Sequence, residues 1–502
     1  MTGALANVGP TALGAVAFLL LAAWCFSHRR VDRSLAALGL YLGLLDGYLK
    51  LSTGSSVVTL GRDVLVAAIA GGALLRAANS HKRLPLPPIG GLVLAFSAVV
   101  LVEFFNPDAP GLITGSAGVR QHLEFVPLFF LGYAFMRRRS QIQKLVFILV
   151  VCAAAGGVVS YIQSTLTPQE FAGWGPGYSE RILGTGAFQG APRVAFGEAG
   201  DTSVRPFGLG SDLGGGAVAA ALALPALIAM MLGAKGLQRV WILPLGIGIG
   251  LAVATSGTRA ALITVFVSMV SFGLIAAASR NGLRVIAGLA IGALLVYGAF
   301  EYLGPGNTTA KRAQSITPSK ALTTFSQERG SSVSKLGEYA TTYPLGLGVG
   351  TVGPAAAVVN DRPLATQTLN QETEWNFLVL ELGIVGLALF IAINLKLMAL
   401  ALARIRHIAA PGLRLQLAAL AAPIFGLATS GFAGPTTATV PPAPYFWFIA
   451  GVLSYWLVSA PRDSPAESAG PLARPKPRST GRSRGPIDER EPLLRASATR
   501  SG

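Results

Sequence analysis

About thirteen long apolar runs divide this chain, and they leave few folds open to it. A helix needs roughly 20 mostly apolar residues to cross the hydrocarbon core of a bilayer. Runs of that kind lie near 9–26, 34–49, 62–79, 88–105, 117–135, 143–162, 212–232, 240–256, 260–278, 285–301, 373–394, 413–432 and 443–459. Lipid offers no partner to a backbone amide, so each run must satisfy its own polar groups, and a helix does this. The expected fold class is therefore all-α: a polytopic membrane helical bundle of about 12–13 transmembrane helices. Charged residues make up only 13% of the chain, about half the share in a soluble domain. The N-terminal segment lacks the basic n-region and the cleavage site of a secretory signal, so the first run is expected to stay as a helix.

The net charge of +17 invites a nucleic-acid reading, which its distribution argues against. The basic residues punctuate the apolar runs and load the C-terminal tail; they form no patch on a soluble domain. Cys25 and Cys152 both lie inside apolar runs, which implies neither a disulfide frame nor a metal site.

Loop charge sets the orientation. The loops His28–Arg33, His81–Arg83, Arg137–Lys144, Lys235–Arg239, Arg280–Arg284 and Lys396–Arg414 are basic, with Asp32 their only acid. They alternate with loops that carry Asp108, Glu170, Glu180, Glu198, Asp201, Glu328, Glu338, Asp361, Glu372 and Glu374. One assignment fits them all: N-terminus outside, C-terminus cytoplasmic, in a cytoplasmic (inner) membrane. The transmembrane domain then covers 1–460, with long outer loops at about 163–211 and 302–372. Loops of that length are usually functional or disordered. Their aromatic and Gly-rich content predicts partial order, with short surface helices within 302–372. The tail, 461–502, is rich in Pro, Arg and Ser, and is expected to be a disordered basic cytoplasmic segment beside an anionic leaflet.

A charged residue within a span costs at least about 2.5–3.5 kcal/mol on insertion scales, so four clusters that keep charge at the outer ends of spans call for a reason. In Ser256-Gly257-Thr258-Arg259 an arginine sits at a tight turn on the outer side, against the charge pattern. It either snorkels to the interface or holds an anion, since a guanidinium stays charged and grips phosphate with two hydrogen bonds. In Arg205-Pro206-Phe207-Gly208-Leu209-Gly210-Ser211-Asp212 a rigid turn leads into a span, with Ser211 or Asp212 as expected N-cap and Arg205 beside a helix N-terminus. In Gln371-Glu372-Thr373-Glu374-Trp375-Asn376 two acids stand at the mouth of a span. They are either helix-dipole partners or the source of a general base, because both cannot be cheaply buried and ionised. Helical spacing places Glu372, Trp375 and Asn376 on one face. In Arg120-Gln121-His122-Leu123-Glu124 the outer charges stand at i,i+4; Glu103, Asp63 and Asp46 are weaker candidates. The chain has no DxD pair, His-rich cluster, HExxH, nucleotide-binding glycine loop or GxSxG, so no metal, cofactor or soluble nucleotide is expected.

The order of these segments resembles a known family. Arg205-Pro206-Phe207-Gly208 comes first, then Ser256-Gly257-Thr258-Arg259-Ala260-Ala261-Leu262 opening a span. A long outer loop ends in Pro344-Leu345-Gly346-Leu347-Gly348-Val349-Gly350, and Glu381-Leu382-Gly383-Ile384-Val385-Gly386 lies inside a later span. Over roughly 200–395 this is similar to the bacterial O-antigen ligase and O-antigen polymerase superfamily. The resemblance implies transfer of glycan from a polyprenyl-pyrophosphate-linked donor onto a saccharide or cell-envelope acceptor at the outer face. It implies pyrophosphate binding by Arg205 and Arg259. From the residues themselves, Arg120, Trp375 and Asn376 are possible substrate contacts, and Glu372 or Glu374 is the expected base. Fixed guanidiniums would stabilise the charge that gathers on a departing pyrophosphate.

The chain departs from the pattern in one place. Ligases of the family usually carry His-Asn eleven residues before the first glycine of the Gly-x-x-Gly pair. Counting back from Gly383 reaches Glu372 and Thr373. Glutamate can also accept a proton, and the exchange favours polymerisation, or ligation of a glycan to something other than lipid A. Two rival readings are a flippase for lipid-linked saccharides and a noncatalytic scaffold of an envelope assembly complex. The first would place its site near the midplane, often on repeated, broken helices.

Overall fold

The computed structural model describes residues 16–81, 85–185, 194–196, 202–212, 214–256, 258–277, 330–353, 356, 373–436 and 439–459. Every expected span except 285–301, which lies outside the described residues, contains a helix. The first are α1 (Val16–Ser27), α2 (Val31–Leu44), α3 (Asp46–Thr53), α4 (Ser56–Asn79), α5 (Gly90–Glu103), α6 (Leu112–Leu123), α7 (Val126–Phe135) and α8 (Arg139–Ser164). After the short α9 (Pro168–Ala172), α10 (Pro176–Leu183) and a hairpin of β1 (Val194–Phe196) with β2 (Thr202–Val204) come α11 (Gly215–Gly233), α12 (Gln238–Ala254) and α13 (Arg259–Ala277). The chain continues through α14 (Gly330–Thr342), α15 (Glu374–Arg404), α16 (Pro411–Ser430) and α17 (Pro442–Ser454). The molecule is a polytopic helical membrane bundle.

Among the described residues, five helices are long and apolar enough to cross a membrane by themselves, or six if the bent pair α2 and α3 is one span. Among the other expected spans, α4 has 24 residues but carries Arg62, Asp63 and Arg76, and the rest are shorter or broken. The run 117–135 is two helices, because Pro127 in the first turn of α7 has no amide to give to the carbonyl of Leu123 and α6 stops there. Inside 163–211 the structure has α9, α10 and the hairpin, in keeping with the partial order expected. Inside 302–372 it has α14, while 302–329, 357–372 and the tail 461–502 lie outside the described residues.

The bundle packs closely through small residues. A Cβ on Gly157 of α8 would overlap the Gly248 carbonyl of α12, and one on Gly451 would overlap the Phe129 carbonyl. Such contacts let backbones approach without a polar partner.

The largest departure from the linear reading is α15. It is two helices that meet at a kink and differ in direction. Gly383 has φ 65 and ψ −171, in a region that side-chain-bearing residues avoid. Trp375 and Phe390 would lie about 22 Å apart along a straight helix, yet their ring centroids are 6.4 Å apart. The segment 374–382 therefore folds back along 384–404. Only the second part is long enough to span. The first is a short half-helix buried in the bundle, with Phe377, Leu378, Val379 and Leu380 all fully enclosed.

The reversal is held by its neighbours. Ile384 N–H donates to the Pro344 carbonyl at 2.9 Å, and Leu347 N–H donates to that of Leu380 at 2.7 Å. Glu381 accepts from Val352 N–H at 3.1 Å and bonds His122 Nε2 at 2.8 Å. A Cβ on Gly383 would meet the Pro344 carbonyl oxygen as well as the forbidden φ. Gly383→Ala is expected to cost about 1–3 kcal/mol, read as a lower thermal midpoint of the purified protein in detergent. An unchanged midpoint would count against the fold-back.

Candidate functional site

Two groups of polar residues meet around one loop, 431–442. The first group is built on the turn 205–214. Gln163, at the end of α8, accepts from Phe207 N–H at 2.9 Å and Gly208 N–H at 2.8 Å, and donates to the Gly208 carbonyl at 3.0 Å. Phe207 is buried among Leu51, Phe171, Tyr178 and Ile182; burial there pushes the Tyr178 phenol above its ordinary range. Arg205 is thus carried on a turn fixed from both sides. Gln163→Leu would leave three buried backbone groups unsatisfied and is expected to destabilise by at least about 1–3 kcal/mol, measured by thermal unfolding.

This turn runs into α11 at Gly214, whose amide donates to the Pro206 carbonyl at 3.0 Å. Gly214 is the N-cap, in the left-handed conformation with φ 68. Ser211 and Asp212, expected in that role, lie upstream of it. Arg181 donates to the Ser211 carbonyl at 2.7 Å and pairs with Asp212 at 3.4 Å. A Cβ on Gly214 would lie 2.7 Å from the Thr258 hydroxyl. The turn bearing Arg205 and the turn bearing Arg259 therefore abut at the starts of α11 and α13.

The second group is the start of α15. Thr373 caps it, accepting from Asn376 N–H at 3.1 Å. Glu374 is 1% exposed. Its amide donates to the Gly431 carbonyl at 2.8 Å, and its carboxylate accepts from the Thr436 hydroxyl at 3.3 Å. A small cavity with room for about one water opens here, lined among others by Glu374, Trp375, Asn394, Gly431, Thr436 and Pro442. The loop 431–442 links the two groups, since the Val440 carbonyl accepts from Ser211 N–H and Oγ–H, both at 3.4 Å.

The other candidates are placed elsewhere. Glu372 lies outside the described residues. Trp375 is half-buried and packs on Phe432 and Phe390, with its indole N–H enclosed and unbonded among the described residues. Asn376 turns away to donate to the Ser332 carbonyl of α14 at 2.7 Å. Arg120 is held by Asp63 and lies 3.8 Å from Glu124. It belongs to a buried network in which Arg62 bonds Glu124 and, at 3.2 Å, Asp46. The glycines 346, 348 and 350 all have φ near +84 and seat their loop against α5, α6 and the reversal at Gly383.

Sequence reasoning passed over Gln163, Arg62 and Thr436. A charged residue inside an apolar run is a signal that would have found Arg62. Nothing in the sequence marks Thr436, whose role comes from a contact 62 residues away.

Comparison with known proteins gives one family. Residues 244–391 match the family model described as O-Antigen ligase, a stretch that includes Arg259 and Glu374. No curated protein and no solved structure matches the chain.

Proposed function

We propose, on the premise that the O-antigen ligase domain at residues 244–391 supports the O-antigen ligase and polymerase superfamily, a specific form of the glycan transfer that this domain implies. The donor is a glycan linked to polyprenyl pyrophosphate, and the acceptor is a saccharide or envelope hydroxyl at the outer face of the cytoplasmic membrane. Arg205 and Arg259 hold the pyrophosphate. Glu374 takes the proton from the acceptor hydroxyl as its oxygen attacks the donor sugar's anomeric carbon. The bond from that carbon to the pyrophosphate oxygen breaks, and the polyprenyl pyrophosphate leaves with the electron pair. Attack from the side opposite the leaving group inverts the anomeric centre.

The observation that carries this reading is the meeting of the Arg205 and Arg259 turns, with Val440 joining them to the loop that receives Glu374. Cations for the leaving group and a base for the nucleophile are what such a transfer needs. The test is reconstitution of the purified protein with a lipid-linked oligosaccharide donor, following donor loss and product length. Intact donor, with folded protein and a range of acceptors, would overturn the proposal. The fold-back at Gly383 also suits a carrier, whose sites lie on broken helices. A carrier would move donor between leaflets and form no new glycosidic bond, so the same assay separates the two.

A further inference from the structure

The ends of α2 and α8 that loop charge assigns to the cytoplasm lie side by side. Gly39 of α2 packs on Ile148 of α8, whose Cγ2 is 3.5 Å from where a Gly39 Cβ would stand. This packing joins two basic segments. Arg29, Arg30 and Arg33 stand at the start of α2, and Arg138, Arg139 and Lys144 at the start of α8. All are exposed, and none has an ion pair among the described residues. The only acid in either segment is Asp32. It belongs to the first turn of α2, where the helix dipole already offsets its charge.

A crevice opens between these helices and α17. Asp32, Gln141 and Lys144 line its polar side, and Leu35, Ile148 and Phe448 its apolar side. It has room for about one water, enough for an ester carbonyl. Arg33 stands one turn before Ala36, which also lines it. Apolar surface continues past the crevice, because Leu40 lies one turn beyond Ala36 and Phe147 one turn beyond Lys144, both exposed. Aromatic residues give the depth. The Trp456 indole donates to the Met136 carbonyl at 2.8 Å, and Arg137 lies over the rings of Tyr133 and Tyr455. Trp and Tyr gather at headgroup level. The Arg205 turn is held by Gln163, at the other end of α8. From Lys144 to Gln163 the helix runs about 28 Å, close to the thickness of the hydrocarbon core.

Cations crowded without a counter-charge repel one another, and an anion among them relieves this. The tail 461–502 is itself net basic. A phospholipid anion matches each part, with its phosphate at the rim, an ester group in the crevice and acyl chains along Leu40 and Phe147. Basic pockets between spans on the cytoplasmic side hold such headgroups. We propose that the joined starts of α2 and α8 bind an anionic phospholipid of the inner leaflet, with Arg33 and Lys144 on its phosphate.

The test is lipid retention by the full-length protein in neutral detergent, with phosphatidylglycerol and phosphatidylcholine as probes and native mass spectrometry as readout. Phosphatidylglycerol is expected to stay bound in preference to phosphatidylcholine. Lys144→Ala and Arg33→Ala should each weaken its retention about fivefold, the worth of one basic residue beside a charged leaflet. Ala36→Leu keeps every charge and fills the crevice, and should displace the lipid too. Lys235→Ala and Arg239→Ala, in a different basic loop, should leave retention unchanged. Equal losses in those two overturn the site and leave only a diffuse attraction of basic loops to the leaflet. Unchanged retention in both Lys144→Ala and Arg33→Ala, equal retention of phosphatidylcholine, or displacement of the lipid by millimolar glycerol 3-phosphate also overturns it. Lys144 and Arg33 are exposed, so their variants keep the fold and carry the test even where Ala36→Leu does not fold.

Discussion

Arg259→Ala is expected to lower transfer from a lipid-linked donor by about 10²–10³-fold, the usual effect of removing one donor that faces developing charge. Arg259 opens the first turn of α13, one residue after the threonine that packs on the α11 N-cap. In the proposed mechanism its charge faces the departing diphosphate, and alanine there keeps the helix, being the best helix former. The loss should therefore fall on kcat as well as on donor KM, with the thermal midpoint little changed. Arg259→Lys should recover only part of the rate, because an ammonium cannot reproduce the flat two-pronged grip of a guanidinium. Undiminished turnover in folded Arg259→Ala protein would remove this residue from the mechanism.

Glu374→Gln is the second large effect, an expected fall of about 10²–10⁴-fold in kcat, the range for losing a general base. The substitution is nearly isosteric, so the bond from Thr436 and the capped start of α15 can persist. The loss would then reflect chemistry and not folding. Donor binding should be almost unaffected, which distinguishes this variant from Arg259→Ala. Pyrophosphate binding measured on Glu374→Gln makes the separation direct. A variant with near-normal kcat would shift attention to Glu372, the other acid at the same helix start.

Several features were legible before any coordinates. Apolar runs located the helices, because hydropathy is a property of a short segment and a bilayer reads it segment by segment. Arg205, Arg259 and the pair Glu372 and Glu374 stood out because charge near a span end needs a partner or a ligand. The break between α6 and α7 was available in principle, since Pro127 is visible in the sequence, but an apolar run masks it. Gln163 and Thr436 act through residues 44 to 62 positions distant, and no local pattern encodes such a contact.

What the sequence determined by itself is the class: a helical membrane bundle with a few polar positions set among runs that exclude charge. What only the tertiary structure decided is where those positions go. The run 373–394 looks like one span because its hydropathy is uniform, yet Gly383 turns it back on itself. That turn depends on the carbonyl of Pro344 and the Glu381–His122 contact, supplied by segments far along the chain. Reversal buries Glu374 against Gly431 and Thr436, in the loop whose Val440 carbonyl also receives Ser211. Hydropathy records how each segment meets lipid; it holds no record of which segments meet each other, and the candidate site is made of such meetings.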